Sequence, residues 1–314
     1  MRKIGITIGD PKGIGSEIIL KALSNLCNAD RKLIQLYGER YYFEKAASLL
    51  DINLNDISIK KTSSYCKNPE SLTDTEAGSI ALRALDACIE DLKTGSIESI
   101  VTAPLNKKRI KLIVSDFIGH TEYLDKKIGN GNASMMFNLT VNTRQFFISL
   151  VTTHLAVENI ASAITQSSVN RAIQNTNDAL KNTFKIQHPK IAVLSLNPHA
   201  GESGAFGRQE IEILIPTIKQ AVLSGIECTG PIAADAFFTN LQNNNYVACI
   251  AMYHDQAMIP AKILSNGNCV NITLGLKYLR TSPGHGTAED IAGKNIADFS
   301  SILSAINLNL KSIK

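Results

Sequence analysis

No apolar run in the 314 residues is long enough to cross a bilayer, which excludes a helical membrane protein. The opening residues, Met1-Arg2-Lys3-Ile4-Gly5-Ile6-Thr7-Ile8-Gly9-Asp10, lack the apolar core of a secretory signal. The six cysteines (Cys27, Cys66, Cys88, Cys228, Cys249 and Cys269) form no C-x-x-C pair. Cys88 and Cys249 sit inside apolar segments, where a free thiol acts as a small hydrophobe. A reducing compartment, and hence a cytoplasmic location, is expected. Charge is nearly balanced, 32 basic against 28 acidic residues for a net +4. That scattered excess argues against a nucleic-acid or membrane-surface partner. The one basic run, Lys107-Lys108-Arg109-Ile110-Lys111, reads as a solvated helix start. Internal repeats and low-complexity linkers are absent, so the whole length is available for packed core.

What is present is an alternation of strand-like and helix-like segments. Ile4–Ile8 predicts a strand, followed by a Gly-rich turn and a helix from about Ser16 to Leu26, with Ser16 as N-cap. Ala81, Leu82, Leu85, Cys88, Ile89 and Leu92 recur at helical spacing, Gly95 ends that helix, and Ile97–Ala103 follows as a strand. Met135–Val141 and Arg144–Thr152 predict a hairpin through Asn142-Thr143. Lys190–Leu196, Tyr246–Met252 and Val270–Leu274 predict further strands, and Gln209–Leu223 a helix. This order predicts an α/β fold with a mostly parallel sheet and an antiparallel part. The polar stretches Asn132–Ser134 and Asn266–Asn268 are candidate crossings between two lobes. They divide the chain into a discontinuous lobe, 1–131 plus 268–314, and a second lobe, 132–267.

Three of the six histidines share one context. His154, His199 and His254 each lie just past the carboxyl end of an apolar strand, where open α/β sheets bind ligands. Three imidazoles there suit a divalent metal with an open position, which would polarise a substrate oxygen. Taken singly, each reads better as a residue that caps its strand end; the threefold repetition makes the metal reading equally good. Their spacings of 45 and 55 residues match no short zinc motif. Asp255 and Glu202 are candidate hydrogen-bond partners for these rings. His188 lies in a polar linker and reads as a surface residue. His120, in Gly119-His120-Thr121-Glu122, stands at a helix start, where ring, hydroxyl and backbone N–H groups suit an oxyanion; a plain N-cap by Thr121 fits as well.

Two loops are rich in small residues. Gly9-Asp10-Pro11-Lys12-Gly13-Ile14-Gly15 has neither the G-x-G-x-x-G spacing nor a Gly-Lys-Ser/Thr ending, and reads as a tight strand-to-helix turn. Arg280-Thr281-Ser282-Pro283-Gly284-His285-Gly286-Thr287-Ala288-Glu289-Asp290-Ile291-Ala292-Gly293-Lys294 permits close backbone approach to a ligand, with His285 placed to stack on or bond a base. Lys262, Asn271 and Arg280 lie between His254 and that loop; Lys and Arg suit carboxylate and phosphate.

Gly9-Asp10-Pro11, Thr102-Ala103-Pro104-Leu105-Asn106-Lys107, Gly119-His120-Thr121-Glu122, Thr152-Thr153-His154-Leu155, Asn197-Pro198-His199-Ala200-Gly201-Glu202, Ala234-Asp235, Met252-Tyr253-His254-Asp255-Gln256, Asn271-Ile272-Thr273-Leu274-Gly275-Leu276 and His285-Gly286-Thr287-Ala288 occur in this order. In that arrangement the chain resembles the 4-hydroxythreonine-4-phosphate dehydrogenase family of pyridoxine biosynthesis. The resemblance implies a fold like that of isocitrate and isopropylmalate dehydrogenases, with two α/β lobes and a cleft between them. It implies metal ligation by His154, His199 and His254, and substrate binding by His120, Thr121, Lys262, Asn271 and Arg280. It also implies nicotinamide nucleotide (NAD or NADP) on His285, Gly286, Thr287, Ala288 and Asp290, and a homodimer whose active sites sit at the subunit interface. Ligand type favours zinc, with cobalt or magnesium as alternatives.

The implied reaction oxidises a small phosphorylated hydroxy amino acid, 4-phosphohydroxy-L-threonine. The product, 2-amino-3-oxo-4-phosphooxybutanoate, decarboxylates to 3-amino-2-oxopropyl phosphate. Asp235 or Lys262 would handle the proton. Alternatives are a threonate or erythronate 4-phosphate dehydrogenase and a phosphate acyltransferase of related fold. The chain departs from the family at Ser16 and Lys277, where proline is common, at Gly284, where Asp is usual, and at Glu289, often an apolar position. The segment Ser63–Thr75 is short.

Overall fold

Short apolar runs become strands and segments with period-3.6 apolar residues become helices, giving an α/β fold with a mixed, mostly parallel sheet. The computed structural model describes residues 2–62 and 71–314. Cys66 and most of the short segment lie outside the described residues. The strands are β1 (Ile4–Thr7), β2 (Ile34–Tyr37), β3 (Ser58–Lys60), β4 (Ser99–Thr102), β5 (Ser134–Val141), β6 (Arg144–Leu150), β7 (Ile191–Leu194), β8 (Cys228–Ile232), β9 (Ala248–Ala251), β10 (Val270–Leu274) and β11 (Leu279–Pro283). Two compact units emerge. One comprises Met1–Ala133, Val270–Ile272 and Leu276–Lys314, the other Ser134–Cys269 and Thr273–Gly275.

In the first unit, the strands run β3-β2-β1-β4-β11, each parallel to its neighbour. Every residue of β1 and of β4 is buried, as strands covered on both faces require. The helix Asp74–Lys93 starts in a capping box: Thr73 accepts from the Glu76 amide, and the Glu76 carboxylate accepts from the Thr73 amide at 2.8 Å. The apolar stripe Ala81, Leu82, Leu85, Cys88, Ile89 and Leu92 is buried along it. Each Leu or Ile there contributes about 1.5–3 kcal/mol by leaving water. Gly95, with φ +76°, follows the end of this helix. The helix predicted to start at Ser16 starts at Gly15 instead, without a side-chain cap. A Cβ at Gly15 would lie 2.1 Å from the Ile8 carbonyl oxygen, and this close approach to β1 sets the entry.

In the second unit, β5 and β6 form the antiparallel hairpin. Asn142 and Thr143 both adopt positive φ (55° and 95°), the geometry whose twist matches a two-residue hairpin loop. The order is β5-β6-β9-β7-β8, parallel from β6 onward. Its core gathers Phe137, Leu139, Phe146, Ile148, Leu194, Phe237, Cys249, Ala257 and Met258. No helix among the described residues is long and apolar enough to cross a membrane. The described cysteines are free thiols.

Candidate functional site

Strand pairing brings two of the three strand-end histidines together. β6 and β9 run parallel with Leu150 opposite Ala251, and pairing continues one step beyond, Thr152 donating its amide and its hydroxyl to the Met252 carbonyl (3.1 and 2.7 Å). His154 and His254 therefore leave the sheet at the same level, and their ring centroids lie 5.6 Å apart. His254 is the first residue of the helix His254–Ser265, and its Nδ1 lies 2.7 Å from Asp255 Oδ1. A proton held on Nδ1 by that carboxylate leaves Nε2 as a lone-pair donor, the arrangement typical of a metal-ligating imidazole. The donor set fits a divalent cation to that extent. Among the described residues of one chain, no group of three metal-ligating side chains assembles.

His199 follows β7, which also pairs with β9. Gln256 joins the two strand ends, donating to Ser195 O (2.8 Å) while accepting from the Met252 amide (2.7 Å). Beyond them, His199, Ala200, Gly201, Glu202 and Ser203 all take positive φ, between 42° and 78°, and so make a left-handed turn. Four of the five are not glycine, and each such residue costs about 1–2 kcal/mol. Glu210, 1 % exposed, anchors the entry to this turn: it accepts from the Leu196 and Asn197 amides (2.9 and 2.8 Å) and from Asn197 Nδ2 (2.8 Å). Nothing in the sequence pattern announces the turn, although an acid nine residues beyond the Pro198–Gly201 segment is its one trace. The turn presents His199 to a cavity of about 680 Å³, which Asp235, Asp255, Ile259 and Ile263 also line. Glu202 is exposed within the turn, and Lys262 is exposed two turns along the helix from His254.

In the first unit, Arg280 of β11 is 2 % exposed and donates to Thr102 Oγ1 through Nε and Nη2 (3.1 and 2.6 Å). Burial pushes its pKa down, to about 9, so an anion beside it would relieve the desolvated charge. His120 begins the helix His120–Ile128 behind Gly119, and Thr121 lies in the first turn rather than at the cap. Burial, and then the positive charges of Arg280 and Lys107, hold the His120 ring well below its usual pKa. It therefore stays neutral near pH 7. An unfolded chain binds this proton near pH 6.5 while the folded chain does not, so stability falls as pH drops below about 6.5. Thermal melts from pH 7.5 to 5 should show a steeper acid-side loss in the wild type than in His120→Asn. Equal slopes would remove His120 as the cause.

Asn271 Oδ1 and His285 Nε2 are among eight buried polar side-chain atoms of this unit with no hydrogen-bond partner among the described residues, the others being on Thr7, Arg31, Glu39, Thr62, Ser99 and Asn309. Such atoms are expensive to leave unpaired and are commonly satisfied by a ligand. A bound nucleotide near His285 fits that need. Gly286, Thr287, Ala288 and Asp290 follow on the same loop, with Ala288 in the left-handed region (φ 43°).

One expectation is corrected. The run Lys107–Lys111 is indeed a short helix, capped by Asn106, but it is not wholly solvated, because Arg109 is buried. Its guanidinium bonds Asp10, Asp74 and Glu289, three acids the sequence spreads over 280 positions. Periodicity carries no sign of that ion network.

A family model described as "Pyridoxal phosphate biosynthetic protein PdxA" matches residues 15–309. A Bacteroides thetaiotaomicron protein named 4-hydroxythreonine-4-phosphate dehydrogenase is 41% identical, covering 97% of this chain and 86% of its own length. A Bradyrhizobium diazoefficiens protein named putative D-threonate 4-phosphate dehydrogenase is 38% identical over 98% of this chain and 95% of its own. Among solved structures, 4-hydroxythreonine-4-phosphate dehydrogenase from Klebsiella pneumoniae superposes with a TM-score of 0.85 at 30% identity, covering all of both chains. Isocitrate dehydrogenase from Methylococcus capsulatus, at 14% identity and a TM-score of 0.54, covering 100% of this chain and 86% of its own, shares the fold alone. By this match over almost its entire length, the chain belongs to the PdxA family.

Proposed function

We propose that the protein is a metal-dependent NAD(P) dehydrogenase acting on 4-phosphohydroxy-L-threonine. The supporting observation is the imidazole pair His154–His254, oriented by Asp255, in a chain 41% identical to a protein of that name. A divalent cation held by these rings would act as a Lewis acid toward the substrate hydroxyl. The third imidazole is His199 of a second copy, since no third ligating side chain joins the pair among the described residues of one chain. Ile259 and Ile263, 58% and 71% exposed beside the His199 cavity, are apolar surface that a homodimer would cover.

The remaining residues divide the work. Arg280, with the neutral His120 and Thr121, receives the phosphate. Asn271 Oδ1 accepts from the substrate amine. Asp235 or Lys262 takes the hydroxyl proton as hydride leaves the carbinol carbon for nicotinamide. The carboxylate is then β to a ketone and is lost as carbon dioxide, and the enolate left behind takes up a proton at the α carbon to give 3-amino-2-oxopropyl phosphate. The loop from His285 to Asp290 holds the nucleotide.

A second reading, D-threonate 4-phosphate as substrate, is favoured by the name of the Bradyrhizobium relative. That substrate carries a hydroxyl where the first carries an amine, so Asn271 is the discriminating contact. Initial rates with both compounds, followed at the NADH absorbance with and without chelator, decide between them. The expected result is a kcat/KM at least about tenfold higher for 4-phosphohydroxy-L-threonine, one charged hydrogen bond's worth. A reversed ratio would establish the second reading. Absence of nucleotide reduction with either would refute both.

A further inference from the structure

Glu289 is held by Arg109 across the first unit. Arg109 grips it with two parallel bonds, Nη1 to Oε1 and Nη2 to Oε2, both 2.7 Å. The same guanidinium donates from Nη1 to Asp10 Oδ2 (2.9 Å) and from Nε to Asp74 Oδ1 (2.8 Å). Asn106 Nδ2 adds a bond to Glu289 Oε1 at 3.0 Å, and Thr287 Oγ1 one at 3.4 Å. Lys12 Nζ bonds Asp74 at 2.8 Å, so two cations face three carboxylates. Both partners of the bidentate pair are withdrawn from water, Arg109 to 11% side-chain exposure and Glu289 to 33%. A fork of that geometry is the strong, orienting form of ion pair.

The pair acts on a strained segment. Ala288, immediately before Glu289, adopts φ 43° and ψ 53° without being glycine, so this conformation persists only if its surroundings enforce it. Both flanks are already tied to the helix Gly15–Ser24 or to Ile14, the residue that precedes it. Thr287 O accepts from the Ile14 amide (3.0 Å), and a Cβ at Gly13 would fall 2.7 Å from that oxygen. Glu17 accepts from the Gly293 and Ala297 amides at 3.3 and 3.2 Å. Between these anchors, Glu289 is the residue that the Arg109 fork holds.

We propose that Arg109 and Glu289 form a positioning strap that keeps residues 286–293 in their nucleotide-receiving conformation and so sets the affinity for the nicotinamide nucleotide. This rests on the proposed assignment of that loop to the nucleotide. A loop already ordered binds at its intrinsic affinity, whereas a loop ordered only part of the time binds more weakly by the fraction competent. Neither side chain is a catalytic residue, and neither is assigned contact with the substrate.

The test uses full-length Glu289→Gln, Arg109→Lys and the double variant. NADH and NADPH titrations, substrate KM at saturating nucleotide, and amide hydrogen exchange over residues 286–293 are measured for each. Each single change is expected to raise the dissociation constant of the preferred nucleotide about tenfold, and the double change little further, because both break one interaction. Substrate KM and kcat at saturating nucleotide should stay within about twofold, and exchange across the loop should quicken. Unchanged nucleotide affinity in Glu289→Gln, or a parallel rise in substrate KM from general loosening, would overturn the strap. A wild-type protein that binds neither nucleotide would overturn the nicotinamide reading and the affinity claim with it. Wild-type binding that persists undiminished in the variants would sink the strap alone.

Discussion

Replacing either His199 or His254 with alanine is expected to lower kcat/KM by at least about 100-fold, since losing a ligand exceeds the 10- to 100-fold typical of losing a ligand's hydrogen-bond partner. Bound divalent metal, measured by elemental analysis, should fall with it. The two variants also allow a sharper experiment. His254 pairs with His154 inside one chain, while His199 lines a cavity that Asp255, the partner of His254, also lines. If His199 serves the neighbouring subunit, each variant homodimer lacks one ligand in both of its sites. Subunit exchange between the two then yields hybrids with one site lacking both ligands and one intact. An equimolar mixture should recover about a quarter of wild-type activity, because half the dimers are hybrids with one good site of two. Full metal content and turnover in His199→Ala would end the three-histidine reading. Absence of recovery in a mixture shown to exchange subunits would end its sharing between copies.

Arg280→Met is expected to lower kcat/KM on the phosphorylated substrate about 100-fold or more while leaving the fold intact. The guanidinium is almost wholly buried, and its two bonds to Thr102 Oγ1 go to a neutral hydroxyl. Charge-assisted bonds contribute about 1.5–3 kcal/mol each, and two to a phosphate reach the stated loss. Without ligand, burial still disfavours the cation and pushes its pKa down, although the charge of Glu122 partly offsets it. A methionine of similar reach should therefore match or raise thermal stability, as buried charges replaced by apolar residues often do. The unphosphorylated hydroxy amino acid serves as control, since wild type and variant should turn it over alike. Equal kinetics on the phosphorylated substrate would remove Arg280 from the anion site, and a collapse in melting temperature would make it a structural residue.

The β5–β6 hairpin, the helix Asp74–Lys93 and the strands around Ile4, Ile100 and Ile250 were legible because local period and turn residues are enough to specify them. Asn142-Thr143 announces its own loop, and Thr73 with Glu76 caps its own helix. The context of the histidines was legible for a similar reason, since each apolar run ends where a ring begins. The position of Ser16 misled, because contact between Gly15 and the Ile8 carbonyl outweighs side-chain capping preference. Arg109 misled further: a basic run looks solvated unless its distant acids are known.

The sequence by itself determined the element types, the small-residue loops and the placing of three imidazoles after three strands, because those depend on neighbours a few residues away. Only the tertiary structure decided that β6 lies beside β9, and so that His154 meets His254, because strand order is set by packing between distant segments. It alone decided that His199 sits on a left-handed turn anchored by Glu210, and that Arg109 links Asp10, Asp74 and Glu289. Left-handed backbone and buried ion pairs cost free energy locally and persist only through contacts made across the fold, which no window of sequence contains.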